Sequence, residues 1–148
     1  MAIEKQKKND EATVQELLNN CTRALHDRNI EGIMSLYAQE VVTFDIVPPL
    51  RHVGAKALRA LWEEVFSVYQ GPIDYKIHDR NIIVGDDLAF VYSLNRIRGT
   101  LRNEFKTNLW LRWTACFQRI DGKWLIVHHQ NSVPVDLEHG IAVLDLKP

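Results

Sequence analysis

Cysteine is scarce in this chain of 148 residues. The only two, Cys21 and Cys116, lie far apart and in no C-x-x-C spacing. Neither a disulfide framework nor a zinc site is therefore expected, and the simplest reading is two reduced thiols in a cytoplasmic protein. Charge of one sign is also lacking. Eighteen Lys and Arg stand against nineteen Asp and Glu, a net charge of −1, and the two signs are interspersed. Only Lys5, Lys7 and Lys8 cluster, so a nucleic-acid partner is not expected. No apolar run approaches the ~20 residues that cross a bilayer, and Met1 is followed by a polar segment, so neither a membrane span nor a secretory leader is expected. A glycine-rich dinucleotide fingerprint is missing, which removes the usual sign of a redox cofactor, and none is expected. The six histidines show no H-x-x-x-H spacing, so no metal ligands are assigned.

What is present fits one globular domain over residues 1–148, with 46% hydrophobic and 25% charged residues. The first ten residues read as a flexible polar tail. Val14, Leu17, Leu18, Cys21 and Leu25 recur at helical spacing. Asn29 reads as the cap of a short second helix carrying Ile33, Met34, Leu36 and Tyr37. Val41 to Val47 is strand-like and ends at Pro48-Pro49. Gly54 opens a third helix, whose stripe is Leu58, Leu61, Trp62, Val65, Phe66 and Tyr69. From Ile73 to Val133 the pattern is strands, broken at Gly85-Asp86-Asp87, Arg102-Asn103-Glu104 and Asp121-Gly122. Helices followed by a meander of long strands make an α+β layout. Leu137 to Pro148 is left as a terminal helix or tail.

The last strand carries a polar run, His128-His129-Gln130-Asn131-Ser132. Buried polar groups cost free energy unless they find partners, so a strand that turns several toward a core is a candidate cavity wall. With Asp121-Gly122 as a two-residue turn, Ala115 opposes His128 and Trp113 opposes Gln130, and opposed residues share a face. His128, Gln130 and Ser132 are then expected inward, beside Leu111, Trp113 and Phe117, with His129 and Asn131 outward. A shift of one residue exchanges the two sets. On the preceding strand, Tyr92, Leu94 and Arg96 face inward if the turn at Asn103 has two residues, and Ser93 and Asn95 if it has three.

The ordered segments "IEGIMSLYAQEVVTFD", "IVPPLRHVG", the helix at Gly54 and "DGKWLIVHHQNSVP" resemble the nuclear transport factor 2-like superfamily, and more narrowly its SnoaL-like and ketosteroid-isomerase-like members. The resemblance runs from about Ala12 to Pro134. It implies a cone-shaped fold, with three N-terminal helices packed on a strongly curved, mainly antiparallel sheet around an internal pocket. It also implies a homodimer through the outer sheet face.

Asp45, nine residues before Gly54, stands where steroid isomerases of this kind keep their general base. The resemblance makes Asp45 the catalytic base and His128 its acid or hydrogen-bond donor. Gln130 and Ser132 become orienting groups. Tyr37, Phe44, Trp62, Phe66 and Trp113 become ligand-binding walls, with Trp62, Phe66 and Trp113 core residues first.

The isomerase's oxyanion donors are missing, because Cys21 and Ala115 occupy their places. Close relatives tend to read H-x-H-x-S-x-P where this chain has His128, Gln130 and Ser132, and glutamine exchanges no protons near neutral pH. Two functions stay open at this point. One is proton abstraction beside a carbonyl in a small apolar molecule, as an isomerase or cyclase. The other is a non-catalytic binding or assembly module. A third, epoxide hydrolysis using Asp45 and Arg96, lacks a second inward carboxylate.

Overall fold

The computed structural model describes residues 1–148. Three helices, α1 (Ala2–His26), α2 (Ile30–Met34) and α3 (Ala55–Val68), lie against one face of a six-stranded sheet. The strands are β1 (Tyr37–Phe44), β2 (His52–Val53), β3 (Tyr69–Val84), β4 (Leu88–Leu101), β5 (Lys106–Ile120) and β6 (Lys123–Ser132), in the order β2-β1-β6-β5-β4-β3. Only β1 and β6 pair in parallel; every other neighbour is antiparallel.

The helix boundaries follow local chemistry. The Asn29 side chain accepts the Gly32 N–H at 3.1 Å and starts α2. Gly54 precedes α3 at φ 88°, a conformation that disfavours any residue with a Cβ, and its N–H reaches the Val41 carbonyl at 2.7 Å. The α3 stripe then buries Leu58, Leu61 and Phe66. These join Val14, Leu18, Ile33, Val41, Val91, Phe117 and Ile126 in a cluster of 19 buried hydrophobic residues between helices and sheet. No helix is long and apolar enough to cross a membrane.

Two terminal expectations change. The polar N-terminus is helical from Ala2, because Asp10 is buried and tied to the sheet. Its carboxylate accepts Arg119 Nη2 at 2.8 Å and Arg119 Nη1 at 3.2 Å, with Trp124 Nε1 at 3.4 Å. The C-terminal segment forms neither a helix nor a bare tail. It makes a small hairpin, β7 (Val135–Asp136) with β8 (Ile141–Ala142). Asp136 Oδ1 accepts the backbone N–H groups of Glu138 and His139, which closes its turn.

The β5–β6 hairpin turns at Asp121-Gly122, both at positive φ, and pairs Ile120 with Lys123 and Arg119 with Trp124 as expected. Phe117 then pairs with Ile126, but Cys116 pairs with His128, leaving Val127 as a β-bulge. Beyond the bulge every residue of β6 is one step out of the simple count.

Candidate functional site

The bulge reverses the expected faces of the polar run. Ala115 pairs with His129 and Trp113 with Asn131, so these two side chains turn inward. His129 is 1% exposed. His128, Gln130 and Ser132 turn outward, which corrects the sequence-based assignment. The His128 ring lies edge-on to Phe44 at 4.7 Å, and its Nδ1 donates to the Val42 carbonyl at 2.6 Å. The Ser132 hydroxyl accepts Arg112 Nε at 3.0 Å. Phe44 pairs with Gln130 in the β1–β6 ladder and is 40% exposed, so it forms no cavity wall. Thr43 pairs with His129 and is buried.

The turn between β4 and β5 follows the three-residue count, with Leu101 N–H donating to the Phe105 carbonyl. Ser93 pairs with Trp113 and Asn95 with Leu111, so both face inward and are buried. Arg96 is on the other face, where Nη2 bonds Asp74 Oδ2 at 2.9 Å. The Asp45–Arg96 set required for epoxide hydrolysis is not assembled.

These placements surround a cavity of about 240 Å³ between α3 and the sheet. Asp45, Ile46 and Val47 line it from the end of β1, Leu61, Trp62 and Val65 from α3, and Leu111, His129 and Asn131 from the sheet. A smaller chamber of about 50 Å³ lies beside it, lined in part by Cys21, Tyr37, Tyr75, Asn95 and Trp113. Trp62, Ile97, Leu111, His129 and Asn131 border both spaces. Tyr37 and Trp113 line the smaller chamber and Trp62 borders both spaces, whereas Phe66 borders neither and belongs to the core.

The polar groups of the wall can be followed atom by atom. The Tyr37 hydroxyl meets His129 Nδ1 at 2.8 Å and has no other partner. A buried hydroxyl needs an acceptor, so Tyr37 donates to Nδ1 and the neutral ring keeps its hydrogen on Nε2. Burial lowers the His129 pKa to about 4, outweighing the opposite pull of Asp45, so the ring is neutral at pH 7. The Tyr37 hydroxyl is likewise pushed well above its ordinary value by burial and stays protonated.

Asn131 Nδ2 donates to Asp45 Oδ2 at 3.2 Å, and the Ile46 N–H donates to Asp45 Oδ1 at 2.8 Å. Three atoms on residues bordering both spaces are buried without partners: Trp62 Nε1, His129 Nε2 and Asn131 Oδ1. Two are N–H donors and the third is an acceptor. Buried polar groups are normally paired, so such a concentration on residues shared by the two spaces points to a bound molecule. Trp62 Nε1 comes from α3 and His129 Nε2 from the sheet, and the Asp45 carboxylate lines the larger of the two spaces.

Sequence reasoning put His129 and Asn131 on the outer face, left Asn95 open between two turn lengths and did not single out Tyr75 for the site. A polar asparagine at mid-strand, between Leu94 and Arg96, was the available signal for Asn95. The Cys21 thiol is inert as an acid, pushed up to about 12 by burial.

Known proteins share both this architecture and its sequence pattern. The SnoaL-like domain profile matches residues 14–136. An NTF2-like protein of unknown function from Pseudomonas putida is 30% identical over 95% of this chain and 98% of its own, with a TM-score of 0.87. A ketosteroid isomerase-like protein from Erwinia carotovora atroseptica shares the fold at 18% identity, covering 83% of this chain and 95% of its own, with a TM-score of 0.71. An NTF2-like superfamily protein from Salmonella enterica does so at 15% identity, covering 88% and 94%, with a TM-score of 0.77. The comparison with curated proteins gives no match. The chain belongs to the SnoaL-like family of the NTF2-like superfamily.

Proposed function

We propose that this SnoaL-like protein binds a small, largely apolar carbonyl compound and abstracts a proton beside its carbonyl. The observation that carries the reading is the pair of unpartnered N–H groups, Trp62 Nε1 and His129 Nε2, on two residues that line the cavity together with Asp45. In this reading the carbonyl oxygen accepts from Trp62 and His129. Asp45 takes the adjacent carbon-bound proton, and the two N–H groups stabilise the enolate oxygen that forms. These donors differ from those of the steroid isomerases, whose places Cys21 and Ala115 occupy. His129 replaces His128 in the scheme. The cavity, about 240 Å³, falls just under the ~300 Å³ lower end of ordinary ligand sites, which favours a single-ring molecule over a steroid.

The test is deuterium uptake at the carbons flanking the carbonyl of cyclohexanone, followed by proton NMR with catalytic protein in deuterated buffer. The reading predicts uptake above the buffer rate with the unaltered protein, and loss of that excess with Asp45→Asn while cyclohexanone still binds. Binding of cyclohexanone without excess uptake in either protein leaves the alternative, a non-catalytic ligand-binding module.

A second part of the proposal concerns assembly. Phe90 and Tyr92, stacked at 6.5 Å, are 45% and 47% exposed on the outer sheet face, which suits a homodimer through that face. Sedimentation velocity should return twice the chain mass, and Tyr92→Glu should return the monomer.

A further inference from the structure

The small inner chamber adjoins a second feature of the fold. A groove of about 520 Å³ runs between α1 and β3, and Thr22, Tyr75, Ile77 and Arg80 line both groove and chamber. Arg80 therefore stands between them. Its Nη1 donates to Asn19 Oδ1 at 2.7 Å. It pairs with no carboxylate, whereas Arg59, Arg96 and Arg98 each meet one and Arg119 meets two. Glu11 lines the groove but forms no ion pair with Arg80. Cys21 and Tyr75, whose anions would favour the cation, are no counterions, because burial raises both pKa values and keeps the groups neutral.

A half-buried guanidinium without an anion is costly to keep, and burial does lower its own pKa. Beside it, the Tyr75 hydroxyl accepts Asn95 Nδ2 at 2.6 Å, and Asn95 Oδ1 accepts the Ser93 hydroxyl at 2.6 Å. That chain uses Tyr75 only as an acceptor, so its own hydrogen is free to be donated. A planar cation and a hydroxyl donor thus border a chamber of about 50 Å³. Such a space exceeds the ~30 Å³ share of one water and admits a carboxylate, but not a ring.

We propose that the inner chamber takes the carboxylate of the ligand, held by Arg80 and Tyr75, so that the substrate class is a small keto acid. The inference rests on the reading that the larger cavity holds the carbonyl end. The ligand's apolar middle then passes the wall formed by Ile97 and Leu111, with Trp62, His129 and Asn131 at the carbonyl.

Calorimetric titration with three probes tests this: levulinate, its neutral amide levulinamide, and cyclohexanone. Levulinate should bind roughly 10-fold or more tightly than levulinamide, the size expected of hydrogen bonds to a charged group. Arg80→Gln should abolish that preference, Arg80→Lys should retain part of it, and Lys76→Gln, on the groove rim, should leave it unchanged. The comparison of acid with amide uses the unaltered protein and does not depend on how any variant folds. Equal binding of acid and amide, or a preference that survives Arg80→Gln, overturns the anchor. If cyclohexanone binds and levulinate is not preferred, the anchor falls and the carbonyl reading stands. If no probe binds, both fall.

Discussion

The Tyr37 hydroxyl and His129 Nδ1 meet at 2.8 Å across 92 residues of chain, joining the start of β1 to the middle of β6 inside the core. This one bond decides which nitrogen of a neutral imidazole faces the rest of the cavity wall. It also explains how a histidine sits at 1% exposure in an apolar cluster.

Removing the hydroxyl with Tyr37→Phe should lower stability by about 1–3 kcal/mol, because Nδ1 is left buried and unsatisfied. Urea unfolding reads the loss. The same variant frees the tautomer, so the nitrogen chemical shifts of the His129 ring should move.

Stability should fall with acid in a window set by His129. Its folded pKa, about 4, lies below the ordinary 6.5, so the unfolded chain binds more protons between those values. Stability is complete above about pH 6.5 and declines as pH drops toward 4, at up to about 1.4 kcal/mol for each unit. Asp10 and Asp136 also have lowered pKa values, but their contributions are lost only as pH falls below the ordinary carboxylate value of 3.8. Thermal unfolding from pH 7 to 4 should therefore show a slope that His129→Gln flattens.

Asp10→Ala should melt the N-terminal turns of α1 and lower the transition temperature by on the order of 4 °C or more. The Arg119 guanidinium loses its bidentate partner, and Trp124 Nε1 loses an acceptor. Amide exchange over residues 2–10 distinguishes a local loss of helix from global unfolding.

The bulge at Val127 predicts which polar residues matter for ligand binding. Gln130→Ala and Ser132→Ala, both outward, should change cyclohexanone affinity by less than about 2-fold. Asn131→Ala should weaken it by roughly 5-fold or more, since it frees Asp45 Oδ2 and removes a wall acceptor. Calorimetric titration of the three variants measures both.

Much of the fold is legible because its signals are local. The α3 stripe, the Asn29 cap and the Asp121-Gly122 turn each act through neighbours a few residues away. The site was less legible because its geometry depends on a single unpaired residue. Val127 is β-branched and suits any strand, so nothing in its chemistry announces a bulge, yet it moves His129 and Asn131 to the inner face. The parity of β4 depended on one residue of loop length at Asn103, which composition does not determine. The helical N-terminus depends on Arg119, 109 residues away from Asp10. Asp45 was singled out from its position alone, and the structure puts it on the cavity, bonded to Asn131 rather than to His128.

The most direct test of the carbonyl-binding wall is a titration of protein labelled with nitrogen-15 at histidine and tryptophan, using cyclohexanone and two-dimensional NMR. The account predicts that the Trp62 Nε1–H and His129 Nε2 signals shift together and saturate at one concentration, while the His128 signals stay in place. Movement of His128 with no change at His129 and Trp62 would contradict it.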